Sequence, residues 1–408
     1  MSVKGRDPVE HTTCCIVGGG PGGAVLALLL AREGVQVSLL EQHADFDRDF
    51  RGDTLHPSVL ELMDDLGLAG RLLGLSHTRL SAATVETASG PFTLVDFRRL
   101  RTKFPYIAFM PQTRFLEFVV GEARRYPNFR LVMGASVREL VDEGGVVRGV
   151  RYRDREGTRE LRALLTVGAD GRFSRVRRLG SFEAHSTSPP MDVLWFRLPR
   201  GAGEPEGVRA RFGAGHLAIM LDRGEEWQVA YVIPKDGYGA VRAAGMERLR
   251  GSFASLVPEV ADRVGHLEEW GQVSVLSVAS DRLVEWYRPG LVMIGDAAHT
   301  MSPVGGVGIN YAIQDAVVAA NVLAGPLGRG ESSTEQLASV QRQRELPTRV
   351  IQSLQSQIQR RLLARVLDPD REAFVPPKSL LLLTKIPFLR DLPGRLVAFG
   401  VRRVRVKL

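Results

Sequence analysis

Asp296 carries the most specific chemistry in the chain. It stands in Gly295-Asp-Ala-Ala-His299, after the apolar run Gly290-Leu-Val-Met-Ile294 and ahead of Thr-Met-Ser-Pro-Val-Gly-Gly-Val-Gly-Ile-Asn310. A carboxylate accepts from two hydroxyls at once, which suits a polyol. Two further signals precede it. Gly18, Gly20 and Gly23 match GxGxxG, with Glu41 about 20 residues on, where an acid accepts ribose hydroxyls. Between these, Gly168-Ala-Asp-Gly-Arg-Phe-Ser-Arg175 contributes Asp170 and Gly171.

The elements around these residues set what they can do. Residues 12–17 form a short apolar run of β-formers and read as a buried strand. Residues 24–31 read as an apolar helix ending near Gly34, and 35–40 as a second strand ending in Glu41. This is the strand–turn–helix–strand context the motif requires. The first glycine permits the tight turn, the second lets a pyrophosphate approach the backbone, and the third packs helix on strand. The helix N-terminus offers free N–H groups to the phosphates. Glu41 disfavours a 2′-phosphate, so FAD or NAD fits better than NADP. This motif alone does not separate the two. Residues 164–168 likewise read as a strand leading into Asp170-Gly171, with Arg172, Arg175, Arg177 and Arg178 as a solvated basic face.

Three motifs in this order resemble the FAD-dependent aromatic hydroxylases, the single-component group A flavoprotein monooxygenases, over roughly residues 12–350. The resemblance implies that Asp170 and Gly171 lie between the FAD pyrophosphate and the approach of the nicotinamide nucleotide. It implies that Asp296, after Gly295, bonds the ribityl chain. Pro303 opens a backbone-rich turn, and Gly305, Gly306 and Gly308 would let the flavin ring sit against bare backbone. A long helix would start at Ile309 and Asn310, its N-terminus stabilising the charge of reduced flavin. Arg51 and Gln112, and more weakly Arg114, match family positions that contact FAD. The implied chemistry uses NADPH or NADH as a transient reductant. O2 adds to reduced flavin, and a flavin hydroperoxide hydroxylates or epoxidises an apolar aromatic or polycyclic small molecule. No catalytic base stands out.

Two other classes compete. A flavin-dependent halogenase would carry Trp-x-Trp-x-Ile-Pro, but Val229-Ala-Tyr-Val-Ile-Pro234 has Val and Tyr where both Trp should be. A non-catalytic relative of the same architecture, such as a GDP-dissociation inhibitor, fits poorly with intact Glu41 and Asp296.

Composition narrows the class further. The 408 residues allow more than one lobe. The 54 basic and 46 acidic side chains leave a charge of +8. The Arg residues are scattered, so no nucleic-acid partner is expected. The two Cys, at 14 and 15, are strand neighbours facing opposite ways and read as core residues in a reducing compartment. The His residues are dispersed, and no metal site is expected. The start has no signal-peptide core, and no apolar run reaches the about 20 residues of a spanning helix. A cytoplasmic location is expected.

The expected fold is α/β: a Rossmann-like FAD-binding domain with an inserted β-sheet substrate domain and C-terminal helices. The FAD-binding domain should be discontinuous, from 11–79, 100–180 and 280–350. Residues 80–99 and 181–279 should form the substrate sheet, including a hairpin through Ser89-Gly90. Candidate pocket residues are Trp195, Arg197, Phe212, His216, Met220, Trp227 and Tyr231, of which strand alternation lets only about half face one cavity. Residues 351–408 should form a helical segment with a basic tail, after a helix broken or bent at Pro347. Leu380 to Leu383, Phe388, Leu389 and the Arg-rich end read as packing on the core. The sharper alternative is weak contact with the inner face of an anionic membrane.

Overall fold

The computed structural model describes residues 9–47, 53–87, 90–204, 207–213, 216–363 and 390–408. An eight-stranded sheet organises the three motifs. Leu291–Met293, Thr158–Gly168, Val9–Val17, Val37–Glu41 and Phe129–Met133 lie side by side in it, all parallel. Strands covered on both faces can be apolar throughout, which is why these segments read as continuous apolar runs. Val17 pairs with Gly168 and Leu40, and Gly168 pairs with Met293. The strands bearing the three motifs therefore end at one level. Gly18, Glu41, Asp170 and Gly295 gather on the carboxyl edge, where open parallel sheets bind ligands.

Helix Pro21–Arg32 is buried from Gly22 to Ala31. It is wedged against the long helix Gly308–Gly328, and a Cβ on Gly22 would lie 3.1 Å from Ala312 O. Leu26, Leu28, Leu29 and Leu30 are buried there. Each contributes about 1.5–3 kcal/mol through burial.

A second sheet of seven strands runs in the order Ser274–Ser277, Met191–Pro199, Glu226–Pro234, His216–Asp222, Val208–Gly213, Ala82–Thr87, Gly90–Asp96. The 82–96 hairpin joins through the parallel pair Arg209–Thr84. Alternation gives this sheet two apolar faces. Leu194, Phe196, Met220, Trp227 and Tyr231 pack with Leu249 and Phe253 of helix Met246–Leu256. Met191, Val193, Leu217, Ala230 and Val232 form the opposite face, and Val304 packs against it.

Several expectations change. Helix Thr334–Ile358 runs unbroken through Pro347 and crosses the expected 350/351 boundary. Proline removes one backbone bond, whereas a Ser333/Gln336 capping box and a buried face hold the rest. The 304–328 segment is long and apolar enough to cross a membrane, contrary to the sequence expectation, but 78% of that window is buried in the protein core. The C-terminal end follows the packing reading. In helix Leu392–Phe399, Ala398 and Phe399 are buried. Arg405 pairs with Asp65 and with Glu61 (3.5 Å), Arg403 lies 3.9 Å from Glu61, and the Lys407 N–H donates to Asn321 Oδ1 at 2.9 Å. Arg403 and Arg405 face the protein's own carboxylates, which weakens the membrane reading. The Leu380–383 run, Phe388 and Leu389 lie outside the described residues.

Candidate active site

The three glycines of the first motif serve different ends. Gly18 has φ +108°, and a Cβ there would lie 2.4 Å from Ala169 O. A Cβ on Gly23 would lie 2.0 Å from Gly18 O. Both are demanded by the chain's own backbone. Gly20 is not: its φ is −69°, and nothing lies within 4 Å of a Cβ built on it. Its missing side chain leaves an open cradle at the N-terminus of helix Pro21–Arg32. Glu41 is buried beside it. Its Oε2 accepts from the Gly19 N–H at 2.8 Å and its Oε1 from the His43 N–H at 2.9 Å.

The second motif lies beside the first, since the Ala169 N–H donates to Val17 O at 2.8 Å. Asp170 turns its carboxylate back into its own loop. It accepts from the Ser174 hydroxyl and from the N–H groups of Arg175 (2.7 Å) and Val176 (3.0 Å). These are orphan donors at the start of helix Arg175–Leu179. Burial pushes the Asp170 carboxyl above its usual value, and these bonds oppose the rise. Gly171 takes φ +76°. Arg172, expected on a solvated face, donates to Ser277 O and ties the loop to the second sheet.

Beneath the third motif is a buried network that the sequence did not reveal. Gly295 has φ +60°, and its N–H donates to Asp315 Oδ2 at 3.0 Å. His299 Nε2 lies 2.6 Å from the same oxygen, and Arg344 Nε donates to Oδ1 at 2.6 Å. The Asp315 side chain is 0% exposed and those of His299 and Arg344 are each 1% exposed. Burial acts to raise the Asp315 carboxyl, but His299 and Arg344 outweigh it and hold it below its usual value. The network fixes the turn carrying half-buried Asp296.

Pro303, half-buried, accepts from the Gly306 N–H at 3.0 Å. Gly305 and Gly306 take φ +81° and +61°. The helix begins at Gly308, and no atom lies within 4 Å of a Cβ there. Asn310 is buried and faces protein. It accepts from the His56 N–H at 2.9 Å and donates to Thr54 O and Gly306 O, each at 3.2 Å. It staples the 54–56 segment to the helix start. His56 is buried, its Nδ1 2.7 Å from Val397 O.

Arg51 lies outside the described residues. Gln112 opens helix Gln112–Ala123, its N–H donating to Asp53 Oδ1 at 3.2 Å. Arg114 is not brought to the site, because it donates to Ser76 O at 2.7 Å. Asp53 also pairs with Arg223, whose Nε donates to Gln228 Oε1 at 2.7 Å. Sequence reading missed both.

The pocket candidates divide by strand parity. Trp195 and Phe212 pack on the face that meets Val304. Arg197 follows Trp195 by two on the same strand, is exposed, and lies 3.6 Å from Glu226. Met220, Trp227 and Tyr231 are on the opposite face, under helix Met246–Leu256. His216 goes with them, its Nδ1 2.7 Å from the Tyr231 hydroxyl. These four were expected to line a pocket, but the pleat turns them into a separate core.

Known proteins share this organisation. The FAD binding domain family matches residues 11–353. The 6-methylpretetramide 4-monooxygenase of Streptomyces rimosus is 34% identical over 413 residues, covering 100% of this chain and 97% of that protein. The 12-dehydrotetracycline 5-monooxygenase/anhydrotetracycline 6-monooxygenase of the same species is 30% identical over 315 residues, covering 74% of this chain and 60% of the relative. The crystal structure of pqsL, a probable FAD-dependent monooxygenase from Pseudomonas aeruginosa, superposes with TM-score 0.74 at 23% identity, covering 88% of this chain and 98% of that one, and so shares the fold. Together with the open cradle at Gly20 and the aligned acids at the sheet edge, these likenesses are decisive: the chain belongs to the FAD binding domain family and is an FAD-dependent monooxygenase of the aromatic hydroxylase group.

Proposed function

We propose that this enzyme hydroxylates a polycyclic aromatic small molecule of the linear, fused-ring phenolic kind. The observation that carries this is the broad apolar face of Met191, Val193, Leu217, Ala230 and Val232 set against Val304 in the glycine-rich turn. A flat fused-ring system would lie along the edge of this cluster, against Trp195 and Phe212, which the protein leaves partly exposed. The full-length likeness to a 6-methylpretetramide 4-monooxygenase supports a substrate of that shape.

In this reading residues 11–79, 100–180 and 280–350 form the FAD domain. Gly18, Gly20 and Gly23 admit the pyrophosphate to the helix N-terminus, and Glu41 takes the ribose hydroxyls. Asp296 accepts from the ribityl chain. The Pro303–Gly308 turn and the start of helix Gly308–Gly328 abut the ring, where N–H groups favour negative charge. FAD held by these residues would supply two-electron reduction by NADPH or NADH and activation of O2 toward an electron-rich ring. The chain's own tasks are to exclude water, with the sheet of 80–99 and 181–279 as roof, and to orient the substrate. Residues 351–363 and 390–408 cover the FAD domain, and the enzyme works in the cytoplasm.

The test is purification of the yellow holoenzyme and assay of NADH and NADPH oxidation. Anhydrotetracycline, 6-methylpretetramide and single-ring phenols are the probes. Tetracyclic compounds should stimulate oxidation and gain one oxygen. Stimulation by single-ring phenols alone would overturn the substrate reading.

A further inference from the structure

Helix Thr334–Ile358 buries a polar stripe alongside apolar residues such as Leu337, Val340 and Ile351. Gln341, Arg344, Thr348, Gln355 and the following Gln359 are all buried. With half-buried Gln352 they recur at helical spacing along one face. Burying an amide N–H without a partner costs several kcal/mol, and the glutamine NH2 groups of the stripe are each answered by a fixed partner. The partners lie within residues 281–315, around the third motif, and most of them are backbone groups. Gln341 accepts from the Trp286 N–H and donates to Val284 O, both at 2.9 Å. Arg344 donates to Asp315, which holds Gly295. Gln352 donates to Asp281 O at 2.8 Å and Thr300 O at 3.0 Å, and accepts from Arg282 at 2.9 Å. Gln355 donates to Ser302 O at 2.9 Å and Val304 O at 2.8 Å, and Gln359 donates to the Ser302 hydroxyl.

Three carbonyls at alternate positions, Thr300, Ser302 and Val304, are thus drawn to one side by two glutamines. The segment between Asp296 and Gly308 has little regular structure of its own, only the short strand His299–Thr300 and a single turn at Val304–Gly306. Leucines on this helix face would bury as much apolar surface but would leave those carbonyls unanswered and the turn free to shift. The glutamine donors fix its distance from the helix.

We propose that Gln352, Gln355 and Gln359 are positioning residues for the flavin. They hold the Pro303–Gly308 turn and the N-terminus of helix Gly308–Gly328 at a set distance from the ring. This rests on the reading above that the turn abuts the flavin. Loss of one glutamine lets the turn retreat. The N–H groups and the helix N-terminus then stabilise reduced, anionic flavin less.

The experiment compares Gln355→Met with Gln341→Met, which removes the same kind of amide from the far end of the stripe. Holoenzyme midpoint potential, apo-protein affinity for FAD and melting temperature are measured for each. Gln355→Met should make the potential more negative and weaken FAD binding by about tenfold, the loss of two neutral hydrogen bonds. Gln341→Met should lower melting without moving the potential. An unmoved potential in Gln355→Met, or an equal shift in both variants, overturns the proposal. If Gln355→Met does not fold, Gln352→Met carries the same expectation. Gly308→Ala separates the two readings, because the protein leaves room for its methyl. An unchanged flavin absorption spectrum in Gly308→Ala would show that the turn is not at the ring. An altered spectrum there, with an unmoved potential in Gln355→Met, defeats the glutamine proposal alone.

Discussion

Gly20→Ala is the sharpest test of how the first motif works. A Cβ at Gly20 meets nothing within 4 Å, and its φ of −69° suits any residue. Gly20 is the N-cap of helix Pro21–Arg32, where alanine is worse than glycine by roughly 0.5–1 kcal/mol. Reduced freedom of the unfolded chain offsets this by about 0.4–1 kcal/mol. The apo-protein should therefore melt almost as wild type does. Binding should not survive so well. The methyl fills the cradle and holds the pyrophosphate off the helix N–H groups. Losing one hydrogen bond to a charged oxygen costs about 1.5–3 kcal/mol, or roughly 10- to 150-fold in FAD affinity. Gly18→Ala and Gly23→Ala provide the contrast, because their Cβ atoms would sit 2.4 Å and 2.0 Å from backbone oxygens. Those variants should lose apo-protein stability outright. The assay is flavin fluorescence titration of apo-protein alongside thermal denaturation. Wild-type FAD affinity in Gly20→Ala would refute the reasoning, as would an apo-protein that melts as low as Gly18→Ala.

Four further outcomes follow from named contacts. Asp296→Ala should lose roughly 10- to 150-fold in FAD affinity, read by the same titration, as a charged acceptor disappears. Asp170→Ala should lose FAD content and NAD(P)H-dependent reduction together, because its carboxylate holds the loop rather than a ligand; selective loss of reduction would contradict this. Asp315→Asn should destabilise the fold by about 3–5 kcal/mol in urea unfolding, and Arg344→Met in the same chain should recover much of it, since an unpaired buried charge is the cost. Its lowered carboxyl makes wild-type stability greatest above the ordinary Asp range and lost as pH falls through the folded value. Burial lowers the His56 imidazole to about 4, so neutral His56 is favoured in the fold. Stability should be full above about pH 6.5 and fall by roughly 2 kcal/mol by pH 5. Subtracting the His56→Asn profile isolates this from His216, which burial also lowers.

Much of this enzyme is legible without coordinates. A strand, a glycine turn, an apolar helix and a second strand ending in an acid are local patterns, set by periodicity and steric need. They identify Gly18, Gly20, Gly23, Glu41 and the 295–308 turn, and they separate the nucleotide-binding sheet from a second one. The division of labour among the three glycines is not local. It depends on Ala169, far away in sequence, crossing Gly18.

The pocket depended on pleat and packing. Trp227 and Tyr231 are as aromatic as Trp195, yet one residue of parity puts them under a helix instead of against Val304. Composition cannot tell which face of a two-sided apolar sheet meets the glycine-rich turn. The polar stripe was equally hidden, because glutamines at helical spacing read as a solvated face until their acceptors are known. Sequence by itself determined the order of the motifs and the sheet that aligns them, since each rests on neighbours in the chain, while FAD rather than NAD followed from the resemblance of the three motifs to a known family. Tertiary structure alone decided that Asp170 caps a helix, that Asn310 is a staple, and that Asp315 and Arg344 anchor the Asp296 turn. Those roles depend on which distant backbone groups remain to be satisfied once the chain has folded, and that is a property of the assembled interior.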